Sequence, residues 1–286
     1  STVPRGDGKL YISINDMGHG DGTIITFPNG RKVLIDFGAT RTDRNWYETP
    51  VTASQMHEKA IFNFVQDERH LLNDRFIDVI VLTHADEDHH NHLYELFDTG
   101  NLSATRVFFS GKFSQYSGGV GGSTNCFLAQ NVSNIYSITI NDPGRATYKQ
   151  LETYRSGEVY KPEVEITSDY HEKMNDEEFI QKSNTGLTKG FVQILDGTQG
   201  RNKCGFYLLA SNVDGGTESD KKNRGSIVSM IVQITGGIVK RFLFLGDATF
   251  TAERFLLKTY DHRIRDVELV LVAHHGSNVT SSCEEF

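Results

Sequence analysis

Residues 83–92 read Thr83-His84-Ala85-Asp86-Glu87-Asp88-His89-His90-Asn91-His92, four histidines and two aspartates within one short stretch. Imidazole and carboxylate side by side suit Zn²⁺, Mn²⁺ or Fe²⁺. The core spacing is His84-x-Asp86-x-Asp88-His89. Alternate residues of an extended loop point the same way, so His84, Asp86 and Asp88 are expected to converge, with His89 free to turn to a second ion. The bland alternative is a solvated acidic loop with incidental histidines.

The elements that would carry these residues are legible around them. The mostly apolar run Ile77 to Leu82 precedes the cluster and reads as a strand buried on both faces. Phe242 to Leu245 is a second apolar strand, ending in Gly246-Asp247. Val267 to Ala273 is a third, ending in His274-His275-Gly276-Ser277. Three strands thus deliver His or Asp at their C-terminal ends, the edge where layered α/β folds build sites. Six of the eleven histidines fall in these few residues, which chance scattering does not produce.

On these motifs the chain resembles the metallo-β-lactamase superfamily, and within it the hydrolase domain of ComEC-type DNA-uptake proteins. The superfamily's first metal motif is His-x-His-x-Asp-His, and the ComEC-like branch carries Asp at the second position, as Asp86 does here. Asp16-Met17-Gly18-His19-Gly20-Asp21 matches that branch's N-terminal turn. Phe27-Pro28-Asn29-Gly30, Leu34-Ile35-Asp36-Phe37-Gly38, Asn223 with Ser226-Ile227-Val228, Gly246-Asp247 and His274-His275-Gly276-Ser277 follow in family order. One departure stands out. Many members supply a further His between the first motif and the Gly-Asp, and beyond His92 this gap holds only His171.

The resemblance implies an α/β fold, a four-layer αβ/βα metallo-β-lactamase sandwich, with two divalent ions, Zn or Mn, at one edge between the sheets. It assigns His84, Asp86, Asp88, His89, Asp247 and His274 as ligands, with Asp247 bridging. Asp88, His275 and Ser277 form the expected catalytic set. His275 would position a phosphate or protonate the leaving group, and Ser277 would hydrogen-bond a phosphoryl oxygen. The expected activity is a phosphodiesterase or nuclease, on DNA or RNA, in which hydroxide generated at the metals attacks phosphorus. The alternatives are a hydrolase of small esters, lactones or phosphocholine-type substrates, and a metal-bound regulatory module without turnover.

Other polar residues receive lesser roles. Asp36, at a strand end, either orients a ligating His or is a plain turn residue. Asp16 and Asp21 are expected to be structural, and His19 to line the site. His90 and His92 are expected at the surface or behind the ligands, and His57, His70, His171 and His262 on the ordinary surface. The basic run Lys221-Lys222-Asn223-Arg224 reads as a solvated loop in preference to a phosphate-contacting one.

Composition narrows the class. The chain has 286 residues, 37% of them hydrophobic, and is expected to form a single hydrolase domain over 1–286 with an insertion or lid at about 112–200. No apolar stretch approaches the roughly 20 residues of a membrane span, and the first residues lack a signal peptide's apolar region, so a soluble, cytoplasmic protein is expected. A net charge of −8 argues against a large passive nucleic-acid-binding face. Cys126, Cys204 and Cys283 show neither a disulfide framework nor zinc spacing and read as free thiols. Helical spacing marks 56–71 and 249–260, and a short helix from about His92.

Overall fold

The computed structural model describes residues 6–17, 20–40, 75–154, 157–167, 192–213 and 221–276. The expected helix over 56–71, and Ser277, His19, His57, His70, His171 and Cys283, lie outside the described residues.

Two sheets face each other. The first runs β1 (Tyr11–Ile14), β2 (Thr23–Thr26), β3 (Lys32–Ile35), β4 (Phe76–Leu82), β5 (Ser103–Phe109), β6 (Asn134–Asp142), β7 (Arg145–Thr153) and β8 (Val159–Tyr160), with β9 (Val164–Thr167) also pairing to β7. Its central strands β3 to β6 are parallel, and its flanks are antiparallel hairpins. The second runs β10 (Val192–Asp196), β11 (Lys203–Ala210), β12 (Val228–Thr235), β13 (Ile238–Phe244) and β14 (Leu269–Leu271), antiparallel except for the β13–β14 pair.

The side-chain alternation of a strand shows how the layers stack. Val79 and Val81 of β4 point at the second sheet and meet Phe206, Leu208, Ile231 and Phe244. Ile80 and Leu82 point the other way, onto the helices Leu93–Gly100 and Thr124–Asn131 through Leu93, Leu96, Phe97 and Leu128. On β11 the same switch sends Tyr207 and Leu209 away from the first sheet, towards Ala252, Leu256 and Tyr260 of the helix Phe250–Ile264. Helix, sheet, sheet and helix therefore form four layers, and this is an α/β sandwich. Asp78 interrupts the apolar run of β4 without disrupting it, because its carboxylate accepts a hydrogen bond from the Lys32 backbone amide at 2.8 Å.

The weak pattern over 112–200 conceals regular structure. Residues 134–153 are two nine-residue strands of the first sheet, and 124–131 is a helix packed on it. The described part of this segment, expected as an insertion or lid, adds strands to the first sheet. Both Cys126 and Cys204 are free, the second buried between the sheets. Among the described residues no helix is long and apolar enough to cross a membrane.

Main-chain bonds join the sheets along one edge. Ile140 and Ser211 exchange amide bonds of 2.9 and 3.0 Å, and the Ile227 amide donates to the Thr83 carbonyl at 2.9 Å. The C-terminal ends of β3, β4, β13 and β14 meet on this edge.

Candidate metal centre

Asp36 follows β3, Thr83 and His84 follow β4, Gly246-Asp247 follows β13, and His274-His275 follows β14. The turn of 3₁₀ helix Glu87–His89 curls the segment after β4 back so that His89 lies against His84, ring centroids 4.1 Å apart. Two close backbone approaches make this possible. A Cβ on Gly38 would come within 2.7 Å of the Asp88 carbonyl oxygen and 2.5 Å of the His90 nitrogen. Gly246 has φ of 53°, and a Cβ there would meet Thr83 Cβ at 2.9 Å. Beyond β14, His274 and His275 both adopt left-handed backbone, φ 48° and 52°. Such strain in non-glycine residues persists where surroundings enforce it, and here it turns both imidazoles towards Asp247.

The ligand-type atoms gather into overlapping groups, each within 4.8 Å: His84, His89 and Asp247; Asp88, His89 and His275; Asp21, Asp247 and His275; and Asp21, Asp36 and His89. His89 Nε2 lies 3.3 Å from Asp247 Oδ1, and His84 Nε2 3.7 Å from Asp247 Oδ2. His84 Nε2, His89 Nε2 and Asp247 Oδ1 are fully buried and make no hydrogen bond. Buried polar atoms normally find partners, so three of them converging without a donor fits a cation held between them.

The hydrogen bonds behind the rings fix which nitrogen faces that point. Asp36, 1% exposed, accepts from the Thr83 amide at 2.8 Å, from Thr83 Oγ1, and from His89 Nδ1 at 2.8 Å. With its own proton committed to Asp36, Thr83 Oγ1 can only accept from His84 Nδ1, 3.2 Å away. Both rings therefore carry a proton on Nδ1 and present Nε2 to Asp247, a tautomer assigned from the network. Carboxylate-backed histidine is a recurrent way of orienting metal ligands.

The charges agree. Burial pulls the His89 pKa down, but the Asp36 and Asp247 carboxylates outweigh it and hold the pKa well above the ordinary value. Burial raises Asp247, and its contact with His89 and the charges of His89, His84 and His275 outweigh this and hold it low. Burial likewise lowers His275, yet Asp88 and then Asp247 leave its pKa raised. Without a cation the centre thus takes up protons, and a metal ion must displace them. Zinc uptake is expected to release protons, and its affinity to rise with pH up through the raised His89 pKa. Titration calorimetry in buffers of different ionisation enthalpy measures this; uptake without proton release would contradict it.

The remaining residues differ in detail from the sequence expectation. Asp88 Oδ2 faces His275 Nε2 at 3.6 Å, while Asp86 pairs with His84 at 3.6 Å and with Lys222 at 2.8 Å, so His84, Asp86 and Asp88 do not gather as a trio among these groups. Asp86 and His274 stand outside all four groups. His274 Nε2 lies 3.8 Å from Asp247 Oδ2 and 3.2 Å from Asn223 Nδ2. His275, expected to act on the substrate, is in two groups. Asp21, expected to be structural, lies 3.6 Å from His89 and is also in two, whereas Asp16 is exposed. His90 and His92 are buried: His90 lies between Thr124 and the Tyr116 ring, its pKa pushed by burial to about 4, and His92 pairs with Glu95 at 2.7 Å. Thr83 was missed, and the run holding Lys222 was read as solvated in preference to phosphate-contacting. A hydroxyl residue immediately before His84 was the available signal for the first.

Neither a protein-family model nor a curated protein matches the sequence. Among solved structures the chain is similar to a subclass B3 metallo-β-lactamase with an active-site glutamic acid, at 14% identity over 99% of this chain and 82% of that one, TM-score 0.37. It is similar to MEM-A1, a subclass B3 metallo-β-lactamase from a soil metagenome library, at 13% identity over 94% and 77%, TM-score 0.36. A mutant of the CmlA β-hydroxylase aligns at 13% identity over 91% of this chain and 34% of that one, TM-score 0.32.

Proposed function

We propose that this chain is a metal-dependent hydrolase of metallo-β-lactamase type, acting on phosphodiester bonds in DNA or RNA. The observation that carries the metal is the convergence of His84 Nε2, His89 Nε2 and Asp247 Oδ1, buried and without hydrogen bonds. In this reading these three hold one ion. Asp88 and His275, with Asp247 at the boundary and Asp21 beside them, would hold a second. Zinc or manganese would supply Lewis acidity and an activated water at neutral pH.

The chain's own residues do the rest. Asp36 and Thr83 keep both imidazoles in the ligating tautomer. The sheet interior closes the inner side of the centre, where His84 and His89 side chains are wholly buried, while Asp21, Asp88 and His275 remain about one-fifth exposed. Substrate therefore approaches from their side. The carboxylate-rich donor set favours hard ions such as Mn²⁺ beside Zn²⁺. The order of motifs in the sequence supports the same reading.

End-labelled single-stranded DNA incubated with Mn²⁺ tests it, beside bis(p-nitrophenyl) phosphate and p-nitrophenyl acetate. Phosphodiester cleavage is expected, falling by on the order of 100-fold or more in Asp88→Ala. Turnover of the acetate alone would replace this reading with a small-ester hydrolase. Bound metal with no turnover of any substrate would make the protein a metal-holding regulatory module.

A further inference from the structure

The basic run at 221–224 is not the solvated loop that its sequence suggests. Its single helical turn, Lys221–Arg224, is tied into the centre on two sides. The Ile227 amide donates to Thr83, the residue before His84, and the buried Asn223 reaches His274. Gly225 and Ser226 amides bond back to Lys222 and Asn223 at 2.9 Å, which fixes the turn. From this turn Lys222 extends over the rim, its Nζ 2.8 Å from Asp86 Oδ1 and its side chain 46% exposed. Asp86 in turn touches His84 at 3.6 Å.

We infer that Lys222 contacts an anionic group of the substrate, and that Asp86 is the positioning residue that holds it there. This rests on the proposed hydrolase reading and adds to it the residue that meets the substrate's charge. Charge supports it. Asp21, Asp36, Asp86, Asp88 and Asp247 crowd the centre. Two dications would leave these five carboxylates one negative charge in excess, and an anion arriving there would be repelled. The Lys222 ammonium cancels that excess on the solvent side, where an anion approaches. An ammonium on a fixed backbone, half in water, can exchange its carboxylate partner for a phosphoryl oxygen and keep a charge-assisted hydrogen bond throughout. A cluster fit only to bind metal has no use for a cation at its mouth, since a cation there opposes the incoming ion.

The test is binding of inorganic phosphate to the zinc-loaded protein by calorimetry, with zinc content measured in parallel. Lys222→Ala is expected to weaken phosphate binding about tenfold or more, Lys222→Arg to stay within about threefold of the parent, and zinc content to remain unchanged. Equal phosphate affinity in parent and Lys222→Ala, or no phosphate binding by the parent, would overturn it. Because phosphate binding needs no turnover, the result stands apart from the cleavage assay: a parent that binds phosphate through Lys222 but cleaves nothing defeats the hydrolase reading alone.

Discussion

Asp247→Ala is expected to lose bound metal at both positions and at least about 1000-fold of the hydrolytic rate. Its two oxygens face different partners, Oδ1 towards His89 and Oδ2 towards His84, His275 and His274, at 3.3 to 3.8 Å. Among the described residues no other carboxylate belongs both to the buried group with His84 and to a group containing His275. Losing an outer partner of a ligating histidine costs roughly 10–100-fold in metal affinity or activity, and loss of a shared ligand should exceed that. Asp247→Asn keeps the shape and removes the charge, so it separates ligation from folding. It should retain native near-ultraviolet circular dichroism and also lose zinc. Elemental analysis of dialysed protein measures the stoichiometry. Two ions retained in either variant, with a rate within tenfold of the parent, would remove Asp247 from its central position.

Asp36→Asn is expected to lower zinc affinity by about 10–100-fold without touching a ligand. The argument turns on proton direction. Asp36 Oδ1 accepts from the Thr83 amide, while Oδ2 accepts from both Thr83 Oγ1 and His89 Nδ1. In asparagine the oxygen stays with the Thr83 amide and an NH₂ replaces Oδ2, so donor faces donor. The conflict is relieved when the His89 proton moves to Nε2, which abolishes the lone pair offered to the metal. Burial makes any unrelieved clash cost a further 1–3 kcal/mol of stability. Competition with a chromophoric chelator measures the affinity, and nitrogen chemical shifts of His89 report the tautomer. Unchanged affinity with Nδ1 still protonated would show that Asp36 only supports the fold.

How much of this was readable beforehand depends on where the signal resides. β4 and the segment after it were plain because a strand buried on both faces is apolar nearly throughout, and the histidines begin where it stops. β6 and β7 were hidden for the opposite reason. Residues such as Arg145, Lys149 and Glu152 lie on half-exposed strands near the sheet's end, where alternation is diluted by polar side chains. The same weak segment supplies Tyr116 and Thr124, which cover His90, so of the two expected places, the surface or behind the ligands, this histidine takes the buried one. Asp21 sits in a turn whose glycines suggested a structural role, and its backbone bonds to Asp88 and Gly38 bring it to His89. The relation between His274 and His275 depends on two left-handed residues in succession, a conformation that neither residue type announces. Lys222 looked solvated because charge runs usually are, and its contact with Asp86 joins residues 136 positions apart in the chain.

The centre draws from both sheets: His84, Asp88 and His89 come from the first, Asp247 and His275 from the second. His89 and Asp247 are separated by more than half the chain. During synthesis the early donors therefore emerge long before their counterparts exist, and neither half can assemble the buried His84–His89–Asp247 group alone. Closure of that group waits on the two sheets docking in register, so it doubles as a completeness check. A chain interrupted before β13 would carry histidines able to hold metal loosely but would lack the shared carboxylate that commits it to chemistry.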